Sequence, residues 1–488
     1  MNSDVNVNVH VDVDVDVDVD VDVDVDVNVD VDVDVVVVGA GVVGTAVARH
    51  LAGFELSVAL VDARCDVGDG TSKANTAILH TGFDAQPGSL ESRLVRRGYH
   101  LLKAHAQVVG IPIEDTGAIL VAWNDEESAA LPALAEKARK NGYDRCRLLS
   151  ASQVYQELPN LGPGALGGLE VPDESIICPW TTSLAYATEA VLRGVDLRLE
   201  SEVTHVEVGA DVTVLQTSRG ALTTRWVVNA AGLGSDVVDR LFGYDRFTIV
   251  PRRGELLVFD KFARALVDHI VLPVPSSKGK GVLVSPTIYG NVMLGPTSEN
   301  LVDRSDTSTS QDGLDFLLAK GRVILPSLLK EEVTASYAGL RAATQHDDYV
   351  VAVDQDQRYL VLGGIRSTGL TASMALAEHA AELLQSAGLE VVQRMDLPEP
   401  PRMPNIGEVR PRPYQQGDLI AQDPAYGEIV CFCERVSRGE IRDALAGPLP
   451  PRDLDGLRRR TRAMLGRCQG FFCGAEVGAL LGDGRQLP

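Results

Sequence analysis

Four cysteines near the C-terminus carry the sharpest chemical signal in the chain. They read Cys431-Phe432-Cys433 and, after about 34 residues, Cys468-Gln469-Gly470-Phe471-Phe472-Cys473. A C-x-C followed by a distant C-x4-C brings four thiolates together, and such a set binds a zinc ion or an iron–sulfur cluster. Zinc pairs are usually spaced by about two to four residues, so the tight C-x-C leans away from zinc. Near the other end stands Gly39-Ala40-Gly41-Val42-Val43-Gly44, a full G-x-G-x-x-G. A nucleotide loop and a thiolate array on one chain point to an electron-transfer enzyme whose electrons leave through the cysteines.

The elements that must position the glycine loop can be read around it. Val35-Val36-Val37-Val38 is wholly apolar and β-branched, as a buried parallel strand should be. A helical pattern follows through Val47, Leu51 and Phe54, and Val58-Ala59-Leu60-Val61 forms a second strand ending in Asp62. Gly39 allows the tight turn, Gly41 lets backbone approach a pyrophosphate, and Gly44 lets helix and strand pack closely. Asp62 lies about 20 residues past the glycines, where an acid holds a ribose hydroxyl. The loop alone does not separate FAD from NAD. Two later segments return to the same fold, as flavoproteins do. One is Trp226-Val227-Val228-Asn229-Ala230-Ala231-Gly232. The other is Leu360-Val361-Leu362-Gly363-Gly364, running into Gly369-Leu370-Thr371-Ala372 and a helix through about Leu384.

Composition bounds the partners. The 488 residues allow two or three domains. The net charge of −23 argues against nucleic acid and anionic membranes. From Val5 to Asp34 valine alternates with Asp, Asn or His, and residues 1–34 hold 12 acids with no Lys or Arg, leaving −11 for the rest. A row of carboxylates on one strand face would repel itself, so this stretch is expected to be a disordered acidic tail. No signal peptide or membrane span is apparent, and the seven cysteines fit a reducing, cytoplasmic setting. Cys65, Cys146 and Cys178 read as small buried hydrophobes.

Further segments carry a family resemblance. Gly70-Thr71-Ser72-Lys73-Ala74-Asn75-Thr76, with Ile78-Leu79-His80-Thr81-Gly82 after it, resembles the flavin-side loop of the FAD-dependent family of D-amino-acid oxidase and glycerol-3-phosphate dehydrogenase. Tyr337-Ala338-Gly339-Leu340-Arg341 resembles its G-[LV]-R segment. Within the family, the likeness is to the A subunit of anaerobic glycerol-3-phosphate dehydrogenases. The implied fold is α/β: a Rossmann-like FAD domain (about 35–90, 150–242 and 339–390) with an inserted mixed or antiparallel substrate domain (about 91–149 and 243–338). A proline-rich linker over 391–428 and a small helical module over 429–488 complete it. Positions expected at the cofactor are Gly39, Gly41, Gly44, Asp62, Thr71, Ser72, Asn75, Thr76, Val203, Ala231, Gly232, Gly364, Gly369, Leu370 and Thr371.

Oxidising an alcohol through a flavin requires an anion-holder and a base. The resemblance assigns the anion to Arg341, with Arg366 as a second anchor; a structural ion pair competes for each. His80 is the candidate for proton transfer, against a plain hydrogen-bonding role, and His346 is weaker. Arg252, Arg253, Lys278 and Lys280 are basic within an acidic chain and read as strand-end charges or substrate steering. One departure stands out: relatives carry an Arg-Tyr pair after the histidine, where this chain has Gly82-Phe83-Asp84. Glycerol-3-phosphate leads as substrate, with L-2-hydroxyglutarate or another 2-hydroxy acid behind it and amines third. Gly466-Arg467-Cys468-Gln469-Gly470 and the C-x-C resemble the [2Fe–2S] domain of bacterioferritin-associated ferredoxin, which makes Cys431, Cys433, Cys468 and Cys473 the ligands. Arg458, Arg459, Arg460, Arg462 and Arg467 are expected to face the cluster, an acidic partner or solvent. The partner would be an electron acceptor or a flavoprotein or iron–sulfur subunit, at the membrane periphery if that partner is there. A flavin and iron–sulfur adaptor without a substrate of its own is the rival class.

Overall fold

A computed structural model describes residues 31–275 and 281–484. The expected tail, up to residue 30, lies outside the described residues, as do Lys278 and Lys280. The first strand is Val33–Val38, two residues longer at its start than the apolar run. Period two explains this: Val33 and Val35 point into the core while the acids between them are used at the surface. Asp32 Oδ2 accepts from the Thr223 amide at 2.8 Å, and Asp34 Oδ2 from the Ser57 amide at 2.8 Å. Asp34 also pairs with Arg225 at 2.7 Å. The tail boundary at residue 34 is therefore corrected; the last alternating residues belong to the sheet.

Val33–Val38 lies between two parallel neighbours, Val58–Val61 and Gly220–Asn229, with Val37 opposite both Leu60 and Val228. Tyr359–Gly363 adds a parallel strand beyond Val227–Asn229, and Asp196–Arg198 another beyond Val61. Antiparallel strands at Val203–Val208, Thr213–Thr217 and Val350–Asp354 bring this sheet to eight. Helix Val42–Leu51 packs against helices Pro179–Leu192 and Gly369–Ser386. All β-branched residues of the central strand are buried, as a sheet covered on both faces requires.

A second sheet of nine strands stands over the first domain. Its longest pair is antiparallel, Val250–Phe259 with Val333–Ala343. Strand Gly167–Val171 belongs here too, pairing with Ala118–Ala122, although the sequence reading gave that stretch to the nucleotide part. Conversely, helix Leu90–Val109 packs on Gly369–Ser386: Gly98 lies so close that a Cβ would stand 2.2 Å from the Thr371 carbonyl oxygen.

The C-terminal module has a short hairpin, Ile429–Cys431 with Val436–Ser437, and helices Arg438–Ala446, Leu454–Thr461 and Gly474–Gly484. Val430, Val436, Ile441, Leu457 and Val477 form its own core. The expected linker is packed rather than free. The Met403 amide donates to the Val109 carbonyl at 2.7 Å, Ile406 is buried, and fully buried Arg412 pairs with Glu440 at 2.8 Å. Proline keeps this strap extended, and its few apolar side chains hold it down. Among the described residues no helix is long and apolar enough to cross a membrane.

Candidate active site and cysteine array

A cavity of about 1260 Å³ lies between the two sheets. That exceeds the roughly 300–1,000 Å³ of drug-sized pockets, leaving room for a dinucleotide with a small substrate beside it. Gly39, Gly41 and Asp62 line it. Gly39 has φ 107°, and a Cβ there would stand 2.5 Å from the Ala230 carbonyl oxygen. Helix Val42–Leu51 opens at this point with no acid in its first turn, so its positive end is available to a pyrophosphate. The Asp62 carboxylate accepts from the Ala40 amide at 2.6 Å and the Arg64 amide at 2.7 Å. Burial pushes its carboxyl above the usual range.

Thr71, Ser72, Asn75 and Thr76 form part of the wall. Ser72 Oγ accepts from the Val42 amide at 2.9 Å, and Asn75 Oδ1 from the Ala77 amide at 2.7 Å. Val203, Ala231, Gly232, Gly364, Gly369 and Leu370 complete the predicted lining. Two of the positions expected at the cofactor stand behind the lining. Gly44 is not in the wall; a Cβ there would meet the Gly39 carbonyl oxygen at 1.8 Å, so its role is to let helix and loop touch. Thr371 is fully buried, and its Oγ1 accepts from the His80 amide at 3.0 Å. It positions the histidine backbone instead.

His80 lines the cavity, and its Nδ1 lies 3.0 Å from Glu174 Oε2. Glu174 is fully buried; its other oxygen accepts from the Thr81 amide at 2.7 Å and hydroxyl at 2.9 Å. A carboxylate at Nδ1 holds the proton there and leaves Nε2 as the basic nitrogen. The sequence reading missed Glu174, an ordinary acid in a turn 94 residues away.

Arg341 also lines the cavity. Burial, with the charge of Arg252 adding to it, holds its guanidinium below the ordinary value. No carboxylate among the described residues pairs with it. Arg366 lines the same cavity but is tied to Glu91 at 3.2 Å and to the Asp347 carbonyl oxygen, so the ion-pair alternative describes it. His346 lies outside the cavity lining, with Nε2 3.1 Å from the Arg246 carbonyl oxygen. Lys73 pairs with Asp69 at 2.7 Å.

The four cysteines come together in one group. Cys433 feels both Cys468 and Cys431, and Cys473 feels both Cys431 and Cys468. Cys431 and Cys473 are buried, whereas Cys433 and Cys468 are part-exposed. The Phe472 amide, the Cys433 thiol and the Gly470 and Phe471 amides hold the Cys468 thiol below its usual value. Among the described residues no three His, Cys, Asp or Glu side chains converge on one metal ion. Two cysteines from each segment make up the four thiolates that a [2Fe–2S] cluster takes.

The arginines before Cys468 correct the expectation. Arg459 and Arg460 reach back to Asp66, at 2.5 Å and 2.8 Å, in the loop that follows Asp62. Arg459 also meets Asp69 at 2.9 Å. Arg462 pairs with Glu434 at 2.9 Å and lies 4.0 Å from the Tyr289 ring centroid. Arg467 pairs with Asp260 at 3.1 Å. Their partners are within the chain, because only folding brings the flavin-side loop to the module.

A nucleotide-type sheet roofed by a mixed, mostly antiparallel sheet, with a thiol array docked beside its loop, defines a redox enzyme built for a flavin and an iron–sulfur cluster. The chain belongs to the family described as FAD dependent oxidoreductase (DAO), which matches residues 34–383. A BFD-like [2Fe-2S] binding domain matches residues 429–483. Both agree with the resemblance read from the sequence, and the cofactors are FAD and a [2Fe–2S] cluster. The chain is 33% identical to a glycerol 3-phosphate dehydrogenase of Caloramator mitchellensis over 90% of its own length and 92% of the relative's. It is 30% identical to a glycerol 3-phosphate oxidase of Mycoplasma pneumoniae over 71% and 93%. The dithionite-reduced, FAD-bound L-alpha-glycerophosphate oxidase of Mycoplasma pneumoniae superposes with a TM-score of 0.73 at 28% identity, covering 77% of this chain and 99% of that one.

Proposed function

We propose that the protein is a dehydrogenase that oxidises a small anionic hydroxy compound, with glycerol-3-phosphate as the substrate. The observation that carries this reading is Arg341: a half-buried guanidinium facing the cavity with no carboxylate partner among the described residues. A partly desolvated cation without a counter-ion favours a ligand that supplies one. The relatives named above act on glycerol 3-phosphate, and their similarity spans most of this chain.

In this reading Arg341 holds the substrate anion and fixes its carbon near the cofactor. His80 Nε2 takes the hydroxyl proton, and Glu174 keeps the imidazole in the required tautomer. Bound FAD supplies a hydride acceptor, and the bound [2Fe–2S] cluster supplies single-electron transfer to an external acceptor. Part-exposed Cys433 and Cys468 lie on the side from which electrons leave. Thiolates kept reduced for cluster assembly suit the cytoplasm.

Anaerobic titration of the holoenzyme with glycerol-3-phosphate, followed by absorbance, tests the reading. Bleaching of the flavin band by this substrate is expected. Bleaching by L-2-hydroxyglutarate alone would replace it with 2-hydroxy-acid oxidation, and bleaching by NADH alone would favour the relay adaptor.

A further inference from the structure

In the long antiparallel pair of the second sheet, Arg252 stands directly opposite Arg341. Residues at opposed positions share a face, and two positions along the register Gly254 stands opposite Gly339. That face looks into the flavin-side cleft. A Cβ on Gly339 would meet the Ala74 carbonyl oxygen at 2.1 Å, and the Tyr337 hydroxyl donates to the Asn75 carbonyl oxygen at 2.8 Å. The Arg341 guanidinium leans over Gly254, whose Cβ would stand 2.6 Å from Nη2. Arg252 donates from Nε to Asn300 Oδ1 at 2.9 Å and has no carboxylate partner among the described residues. The neighbouring acids lie on the opposite face or are engaged. Glu299 takes Arg253 at 2.6 Å, and Glu255 takes the Ser310 hydroxyl at 2.9 Å.

Like charges directly opposed across strands destabilise a sheet, and here one of the two is also desolvated. We propose that Arg252 and Arg341 form a two-guanidinium clamp for a dianionic phosphate monoester, and that Arg252 gives the site its preference for phosphate over carboxylate. The inference rests on the proposed reading of this cavity as the substrate site. It supplies, from across the sheet, the cation that the Gly82-Phe83-Asp84 segment lacks. A guanidinium offers parallel donors to an oxyanion, and two opposed forks match the three terminal oxygens of a monoester.

The test compares the FAD-loaded wild type with Arg252→Gln and Arg252→Lys. Sulfate serves as dianion probe and acetate as monoanion probe, in competition with glycerol-3-phosphate and in thermal-shift titrations. Losing a charge-assisted contact should weaken sulfate binding and raise KM by roughly 10- to 100-fold in Arg252→Gln. Flavin reduction at saturating substrate should change much less, acetate binding should move less than threefold, and Arg252→Lys should restore part of the sulfate affinity. Sulfate affinity and KM within twofold of wild type in Arg252→Gln would overturn the clamp, even if glycerol-3-phosphate is confirmed as substrate. Loss of sulfate binding in Arg252→Gln, in a protein whose flavin no phosphate monoester reduces, would keep the dianion site and refute the substrate instead.

Discussion

Asp66→Asn should loosen the C-terminal module from the flavin-side loop by about 3–5 kcal/mol, the usual cost of breaking a buried ion pair. Asp66 has a side chain only 2% exposed. It accepts Arg459 Nη2 at 2.5 Å, Arg460 Nη1 at 2.8 Å and Arg460 Nη2 at 2.9 Å. Asparagine keeps the shape and removes the charge, leaving two guanidiniums that are 6% and 8% exposed with only Asp69 to answer Arg459. Three charge-assisted bonds at about 1.5–3 kcal/mol each would set a higher bound, but the freed arginines recover some hydration. The expected loss is a factor of about 10² to several times 10³ in the docking equilibrium. Urea unfolding followed by tryptophan fluorescence, read with limited proteolysis, should show an early transition in the variant. The acid limb gives a second signature. Arg460 and Arg459 hold the Asp66 carboxyl below its usual range despite burial. A depressed folded-state pKa contributes stability above the ordinary value of about 3.9, and that stability is lost as pH falls through the folded-state value. Asp66→Asn should remove this component. A double-mutant cycle of Asp66→Asn with Arg460→Gln that shows coupling below about 0.5 kcal/mol would refute the reasoning.

Other outcomes follow from single distances. Gly44→Ala should fold but purify largely without FAD, because its Cβ has no room beside the Gly39 carbonyl oxygen; normal flavin content by absorbance would contradict this. Glu174→Gln should slow flavin reduction by roughly 10- to 100-fold in stopped-flow with little change in KM, since it acts through the histidine tautomer. Arg366→Ala should raise KM less than threefold, its guanidinium being engaged by Glu91; a large rise in a substrate titration would restore it as an anchor. Cys468→Ser should abolish the cluster's paramagnetic signal after reduction while substrate still bleaches the flavin; failure of both would link the two redox sites.

Local chemistry made part of this protein legible in its sequence. The strand before Gly39, the glycine turn and the strand ending in Asp62 are contiguous, so periodicity and glycine spacing describe them without further context. The cysteine pairs are equally local: each stands on one short segment whose composition announces a sulfur ligand set. Tertiary structure decided what each charged side chain is for. His80 and Glu174 meet across 94 residues, and Asp66 and Arg459 across 393. Arg341 and Arg366 look alike as sequence, yet one has its charge unanswered and the other has a glutamate beside it. Arg252 reads as a strand-end or a steering charge until strand pairing places it opposite Arg341. A charge takes its role from the burial and the counter-charges around it, and those belong to segments that only folding brings together.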